Sequence, residues 1–374
     1  MDQRADIVVI GAGIAGLSAA AFLAPRRRVL VLEAEAQPGY HASGRTAALF
    51  AEAYGNAPVR ALTRASRPFF EAPPAGFCDQ PLLHPRGTLF IATHDQAESL
   101  AATAAEIGPT LRHLDPAQAV ALVPRLRRER LLGALHDPTA ADIDAHALMQ
   151  GFVRMIREAG GAVLTGRAAD AIERTPDGWR IRTGGETVAA DLLVDAAGAW
   201  GDRVATLAGI APVGLEPKRR TAFLFDPPAG LDTAGWPMVM DVDESFYVKP
   251  ESGRLLGSPA DESPSDPCDA QPDDYDIAVA AERIQEALDL EFRTLKAKWA
   301  GLRTFAPDRT PVAGFDPGED RFFWLVGQGG YGMQTAPALG RLAAGLILDG
   351  TLPQDCRDEG VTAADLAPGR FGGR

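Results

Sequence analysis

Residues 7–33 read IVVIGAGIAGLSAAAFLAPRRRVLVLE, and this stretch decides the fold. IVVI (7–10) is a continuous apolar run, the pattern of a strand covered on both faces. GAGIAG (11–16) follows, then an alanine-rich helix to about Ala24, with Arg26, Arg27 and Arg28 at its exit. VLVLE (29–33) is the next strand, so the chain opens as a βαβ unit. Gly11, Gly13 and Gly16 form GxGxxG at the strand-to-helix turn. The first glycine permits the tight turn, the second lets the backbone approach a pyrophosphate, and the third lets helix pack closely on strand. The helix start, with Ile14 and Ala15, offers free N–H groups and a positive dipole end to phosphates. Glu33 ends the second strand, where a carboxylate can take both hydroxyls of a ribose. A glycine turn without a ligand would leave Glu33 unexplained, so the reading is a dinucleotide site.

Working outward, HALMQGFVRMIREAGG (146–161) carries apolar residues on one helical face and stops at a glycine pair. AVLTG is a strand, GWRIRTG and ETVAADLLV are antiparallel strands, and LLVDAAGAW (192–200) is a buried strand entering a glycine turn. From about 215 to 260 the chain is strand-rich, and a helix follows near 276–291. FFWLVGQGGYGMQTAPALGRLAAGLIL then reads strand, glycine loop, helix. The expected fold is α/β (α+β overall). A Rossmann-like cofactor domain over 1–54, 146–214 and 300–374 is interrupted by a mixed-sheet substrate domain over 55–145 and 215–299. ESPSDPCDAQPDDYD (262–276) is acidic and Pro-rich, and reads as a solvated loop, with a lid as the alternative.

The chain has 374 residues and a net charge of −13. That length supports a large core and two domains. The acidic balance argues against nucleic acid, which needs a basic face. Cys78, Cys268 and Cys356 form no CxxC and are odd in number, so they read as free thiols in a reducing cytoplasm. The six histidines form no metal-like cluster. No signal peptide precedes the first strand, and no apolar run approaches the ~18 residues of a membrane span. The expected location is the cytoplasm, with peripheral attachment to the inner membrane left open.

The glycine fingerprint alone does not separate FAD from NAD. Two features favour FAD: the second glycine turn, with Ala197, Gly198 and Trp200, and the C-terminal loop GQGGYGMQTAPALG. In that loop Thr335 reads as an N-cap, with Pro337 in the helix's first turn. A flavin ring at this N-terminus would have its reduced, negative form stabilised by the dipole. A plain helix packed on the sheet is the simpler alternative.

In order, GAGIAG, Glu33, HASGRTAA, ADIDAHALMQGF, DAAGAWGD, WAGLRTFAPDRTPVAG and GQGGYGMQTA resemble the FAD-dependent D-amino-acid oxidase-like superfamily, which includes glycine and sarcosine oxidases. EAQPGYH, VRALT, PPAGFC, DPTAADID, PKRR, DESFY, WAGLR and QGGYG resemble most the bacterial D-arginine dehydrogenases. The resemblance implies oxidation by transfer of the Cα hydrogen, as hydride, to non-covalent FAD, since no Cys lies near WAGLR. It implies that Ser43, Gly44, Arg45, Thr46, Gly329, Gly330, Tyr331, Gly332, Met333, Gln334 and Thr335 join the cofactor site. Arg220 and Arg303 match the residues that grip the substrate carboxylate, a role suited to the rigid guanidinium fork. Tyr54 and Tyr247 match pocket tyrosines, and Gly330 the carbonyl that accepts from the substrate amine. Strand alternation places Arg220, with Ala222 and Leu224, on the pocket face. It leaves Arg219 on the other face, and Arg219 and Lys218 are expected to be solvated. His41 is read as structural.

Two positions depart from the D-arginine enzymes. Thr88 stands where those enzymes carry a glutamate for the cationic side chain, and Leu49 where they carry a histidine. An unpaired guanidinium would be costly to bury there. The expected substrate is therefore a neutral, hydrophobic D-amino acid. Alternatives are a sarcosine- or D-proline-like secondary amine, a 2-hydroxy acid, and a non-catalytic or electron-transfer flavoprotein. The electron acceptor, oxygen or a quinone, stays open, with the resemblance leaning towards a dehydrogenase.

Overall fold

A computed structural model describes residues 3–108 and 110–372. Gln3–Ile10 pairs in parallel with Val29–Leu32 on one side and Glu186–Asp195 on the other. Ala162–Leu164 extends the parallel part beyond Val29–Leu32. Gly178–Thr183 and Ala171–Thr175 add an antiparallel wing, and Glu319–Val326 lies parallel to the end of Glu186–Asp195. With Val312–Asp316 this makes an eight-stranded sheet. Its apolar runs are buried on both faces: Ile7 and Val9 enter one core, Val8 and Ile10 the other. The helix Ile14–Leu23 lies between that sheet and the helix Gly332–Asp349. The two helices touch closely, since a Cβ on Gly340 would stand 2.8 Å from the Ser18 backbone.

The second sheet has ten strands and is built around Glu216–Phe225. Leu295–Phe305 pairs with it antiparallel, setting Lys218 opposite Arg303 and Arg220 opposite Gly301. Arg254–Ser258, Tyr247–Glu251, Met238–Asp241, Thr88–Thr93 and Leu131–Asp137 continue the sheet on the other side. One face, with Phe223, Phe225, Val239 and Val248, packs under the helix Asp274–Ala287 through Ile277, Ala280 and Ile284. The other face carries Phe90, Ala222, Met238, Met240 and Tyr247. At the sheet's edge Gln328–Gly329 pairs with Thr304 and Phe305. The chain leaving the first sheet at Val326 thus crosses at once to the second, which places the C-terminal glycine loop against Arg303.

The helix Ala57–Glu71 buries Ala61, Leu62, Ala65, Phe69 and Phe70 in the core shared with the helices Ile14–Leu23 and Gly332–Asp349. It therefore lies with the first sheet, across the boundary expected at residue 54. No helix among the described residues is long and apolar enough to cross a membrane.

Candidate active site

One cavity of about 480 Å³ joins the glycine turn and Glu33 to Arg220 and Arg303. It falls within the ~300–1,000 Å³ usual for ligand and cofactor sites. At the first end Gly11 runs against the second glycine turn, and a Cβ on it would stand 2.6 Å from the Ala196 carbonyl oxygen. On Gly16 a Cβ would stand 2.0 Å from the Gly11 carbonyl oxygen, so any side chain there would separate helix from strand. Glu33 accepts the Ala12 N–H at 2.7 Å and the Glu35 N–H at 2.9 Å. These bonds fix its direction, and each carboxylate oxygen keeps a lone pair for a hydroxyl. Ser43 accepts the Ile14 N–H at 2.9 Å. Glycines that leave backbone bare, a helix start and an oriented carboxylate in one long groove fit a dinucleotide such as FAD.

At the other end Arg303 and Arg220 are diagonal neighbours on one face of the second sheet. Arg303 lines the cavity and donates to the Tyr54 hydroxyl at 3.2 Å. It makes no ion pair among the described residues. Burial works against its charge, but the phenols of Tyr54 and Tyr247 outweigh this, and its pKa stands above the ordinary arginine value. A Cβ on Gly330 would stand 2.8 Å from the Arg303 guanidinium, so a side chain there would push the guanidinium out of its present place. Tyr54 donates on to Glu244 at 3.3 Å and packs edge-on against Tyr331, whose phenol burial pushes up to about 12. Arg220 is 8% exposed and lines the cavity with Ala222 and Tyr247. Its Nε donates to the Asp261 carbonyl oxygen at 2.8 Å.

Most of the expected residues come together. Gly11, Gly13, Ile14, Ala15, Glu33, Ser43, Arg45, Thr46, Ala197, Gly198, Trp200, Gly329, Gly330, Gly332 and Met333 line the cavity with Arg220, Tyr247 and Arg303. Gly16, Gly44, Tyr54 and Tyr331 stand behind that lining. Gln334 and Thr335 are fully buried and engaged elsewhere: Gln334 bonds Ala51 and Thr63, and Thr335 donates to the Tyr331 carbonyl. The helix begins at Gly332 with Tyr331 as its cap residue, so Thr335 is not the N-cap and Pro337 falls in the second turn. The run of glycines hid this start, because no side chain there can cap. Leu49 and Thr88 lie in the apolar layer behind Tyr247 and Ala222 rather than in the cavity wall.

Residues 262–273 are loop apart from the two-residue strand Ser263–Pro264, and a helix starts at Asp274, so the loop reading holds over most of its length while the solvation of Arg219 and Lys218 needs correction. Arg219 pairs with Asp276 at 2.6 Å, and Lys218 stands near Glu262 and over the Phe305 ring. Arg45 binds Asp269 and the Ala270 and Ala300 carbonyls, which pins the segment across the groove. Cys268 and Ala270 thereby line the cavity. Sequence proximity could not reveal this thiol, which is far along the chain from Trp299. Arg167 and Gly39 also line it, with no motif to announce them. His41 meets Glu35 at 2.9 Å, packs near Trp200 and lines the cavity. No cluster that could hold a metal ion exists among the described residues.

The profile described as "DAO: FAD dependent oxidoreductase" matches residues 6–346. Glycine oxidase of Geobacillus kaustophilus (strain HTA426) is 24% identical over 387 residues, covering 98% of this chain and 97% of its own. Its crystal structure aligns with a TM-score of 0.80 over 92% of this chain and 95% of that chain, at 23% identity. L-proline dehydrogenase from P. horikoshii aligns at 0.83, 21% identity, over 99% and 98%. Iminodiacetate oxidase from Chelativorans sp. BNC1 aligns at 0.77, 21% identity, over 93% and 96%. A profile that spans both sheets agrees with the groove built between them, and the chain belongs to the DAO family of FAD-dependent oxidoreductases.

Proposed function

We propose that the protein oxidatively deaminates a neutral, hydrophobic D-amino acid, yielding an imino acid that water converts to a keto acid and ammonia. One observation carries this reading: Arg303 is a cation at the cavity wall with a phenol but, among the described residues, no carboxylate for a partner. A half-buried charge without an acidic partner favours a counterion, and a substrate carboxylate supplies one in the two-pronged form that guanidinium favours. Arg220, a diagonal neighbour on the same sheet face, is the second arm of the clamp. Tyr54 and Tyr247 orient the carboxylate, and the Gly330 carbonyl takes a hydrogen bond from the neutral amine, which points Cα into the groove. FAD, held non-covalently along the glycine turns and Glu33, supplies the acceptor for the hydrogen that leaves Cα. The chain's own contribution is therefore positioning and charge.

The substrate side chain would point towards the apolar layer of Leu49, Phe90, Met238 and Met240, which packs behind Tyr247 and outside the cavity wall. That layer holds no carboxylate where the resemblance to D-arginine dehydrogenases would place one, since the residue there is Thr88. A steady-state panel with an artificial electron acceptor tests the substrate class. D-Leu, D-Met and D-Phe are expected to exceed D-Arg and D-Lys in kcat/KM. D-Arg as the best substrate would overturn it. A second reading, oxidation of a secondary amine, draws on the likeness to proteins named glycine oxidase, L-proline dehydrogenase and iminodiacetate oxidase. Sarcosine and both prolines belong in the same panel for that reason.

A further inference from the structure

Arg220 at the cavity wall shares one carboxylate with Arg309 and Lys218, which lie outside the lining. Glu262 receives the Arg309 fork at 2.7 and 2.9 Å, stands 3.5 Å from Arg220 Nη2, and lies 3.7 Å from Lys218 Nζ. Its neighbour Asp261 holds the Thr221 N–H at 2.6 Å, so the segment is tied to the strand that carries Arg220. Arg309 reaches Glu262 from a left-handed backbone, φ 61°, with its guanidinium 4.0 Å over the Phe305 ring. Ala260, at the start of the segment, has φ 53°. Non-glycine residues hold such conformations only where the surroundings over-determine them. Burial works to raise the Glu262 pKa, but Arg309, Arg220 and Lys218 outweigh it and hold it below the ordinary glutamate range. Glu262 is thus an ionised and rigidly placed anion, whereas Arg303 has no acidic partner among the described residues.

We propose that Glu262 is a specificity-determining residue. It occupies the place that a second substrate carboxylate would take on Arg220, Lys218 and Arg309, and so restricts the site to monocarboxylates. The inference rests on the reading of Arg303 and Arg220 as the carboxylate clamp. A first carboxylate still has Arg303 and the Nη1 edge of Arg220, which has no partner among the described residues. A second one meets the like charge of Glu262, which stands 3.5 Å from Arg220 Nη2 and is only partly exposed, and is repelled by it.

The test uses the flavin-loaded full chain as wild type, Glu262→Gln and Glu262→Asp, with Asp266→Asn as a control for loss of an exposed charge on the same segment. Each is titrated with malonate and with acetate, and binding is read from the flavin's visible spectrum. Wild type is expected to bind malonate no more tightly than acetate. In Glu262→Gln the malonate-to-acetate Kd ratio should fall by about tenfold or more. Glu262→Asp and Asp266→Asn should keep the wild-type ratio. Tighter malonate than acetate binding by wild type would overturn the proposal without any variant, as would an unchanged ratio in Glu262→Gln. Failure of both acids to perturb the wild-type flavin would remove the clamp itself, and Glu262's role with it.

Discussion

Arg303, half-buried, and Thr88, fully buried, are polar residues without their usual partners among the described residues, and they mean different things. The Arg303 guanidinium lines the cavity, and on the proposed function a substrate carboxylate is its missing partner. Arg303→Met should leave flavin content intact while lowering kcat/KM on the order of a hundredfold, the usual cost of removing one side of a buried charge pair. Flavin absorbance per protein and a substrate titration check both parts. Thr88 is 1% exposed, and its hydroxyl has no hydrogen-bond partner among the described residues. An orphaned buried hydroxyl costs about 1–3 kcal/mol. Thr88→Val is therefore expected to stabilise the fold by about 1 kcal/mol, read as a higher unfolding midpoint. A lower midpoint would show that the hydroxyl is satisfied. Arg220 and Arg303 were legible in the sequence only through the resemblance. Alternation chose Arg220 over Arg219, and Arg220 is the one that lines the cavity, but the acidic partners of Arg219 come from a distant helix that no local pattern links to it.

Elements matter most where two glycine turns meet. The strand Glu186–Asp195 ends beside Gln3–Ile10, and its last residue, Asp195, is fully buried with one oxygen unpartnered among the described residues. Burial raises its pKa well above the ordinary carboxylate value, against the Ala197 N–H that bonds it. The folded chain therefore holds a proton here that the unfolded chain gives up. Stability from this group is fully present below the ordinary carboxylate range and is lost as pH rises towards the raised folded pKa. Asp195→Asn fixes the neutral state. Its unfolding midpoint should fall less steeply with pH than that of wild type, from the ordinary carboxylate range up to neutrality. An identical slope would mean that Asp195 is ionised in the fold. The strands and helices of the first sheet were readable because an apolar run and a helical face carry their own period. The start of the helix Gly332–Asp349 was not, since its N-terminal turn has no capping side chain.

For the whole molecule, the decisive feature is a chain that passes repeatedly between two sheets. Val326 leaves the first sheet, Gln328–Gly329 joins the second, and Gly332 starts the helix that returns. Composition and charge argued against nucleic acid, but they could not show that the helix Ala57–Glu71 joins the first core. Nor could they show that the acidic segment after Ala260 spans the groove, because its anchors are single long-range contacts to Arg45, Arg220 and Arg309. The most direct test of the account is anaerobic mixing of the purified holoprotein with neutral D-amino acids, their L enantiomers, sarcosine and 2-hydroxy acids, following the flavin colour. The account predicts that neutral D-amino acids bleach the flavin in wild type and do so far more slowly in Arg303→Met. Bleaching that is confined to amines without a carboxylate, or that is unaffected by loss of Arg303, would contradict it.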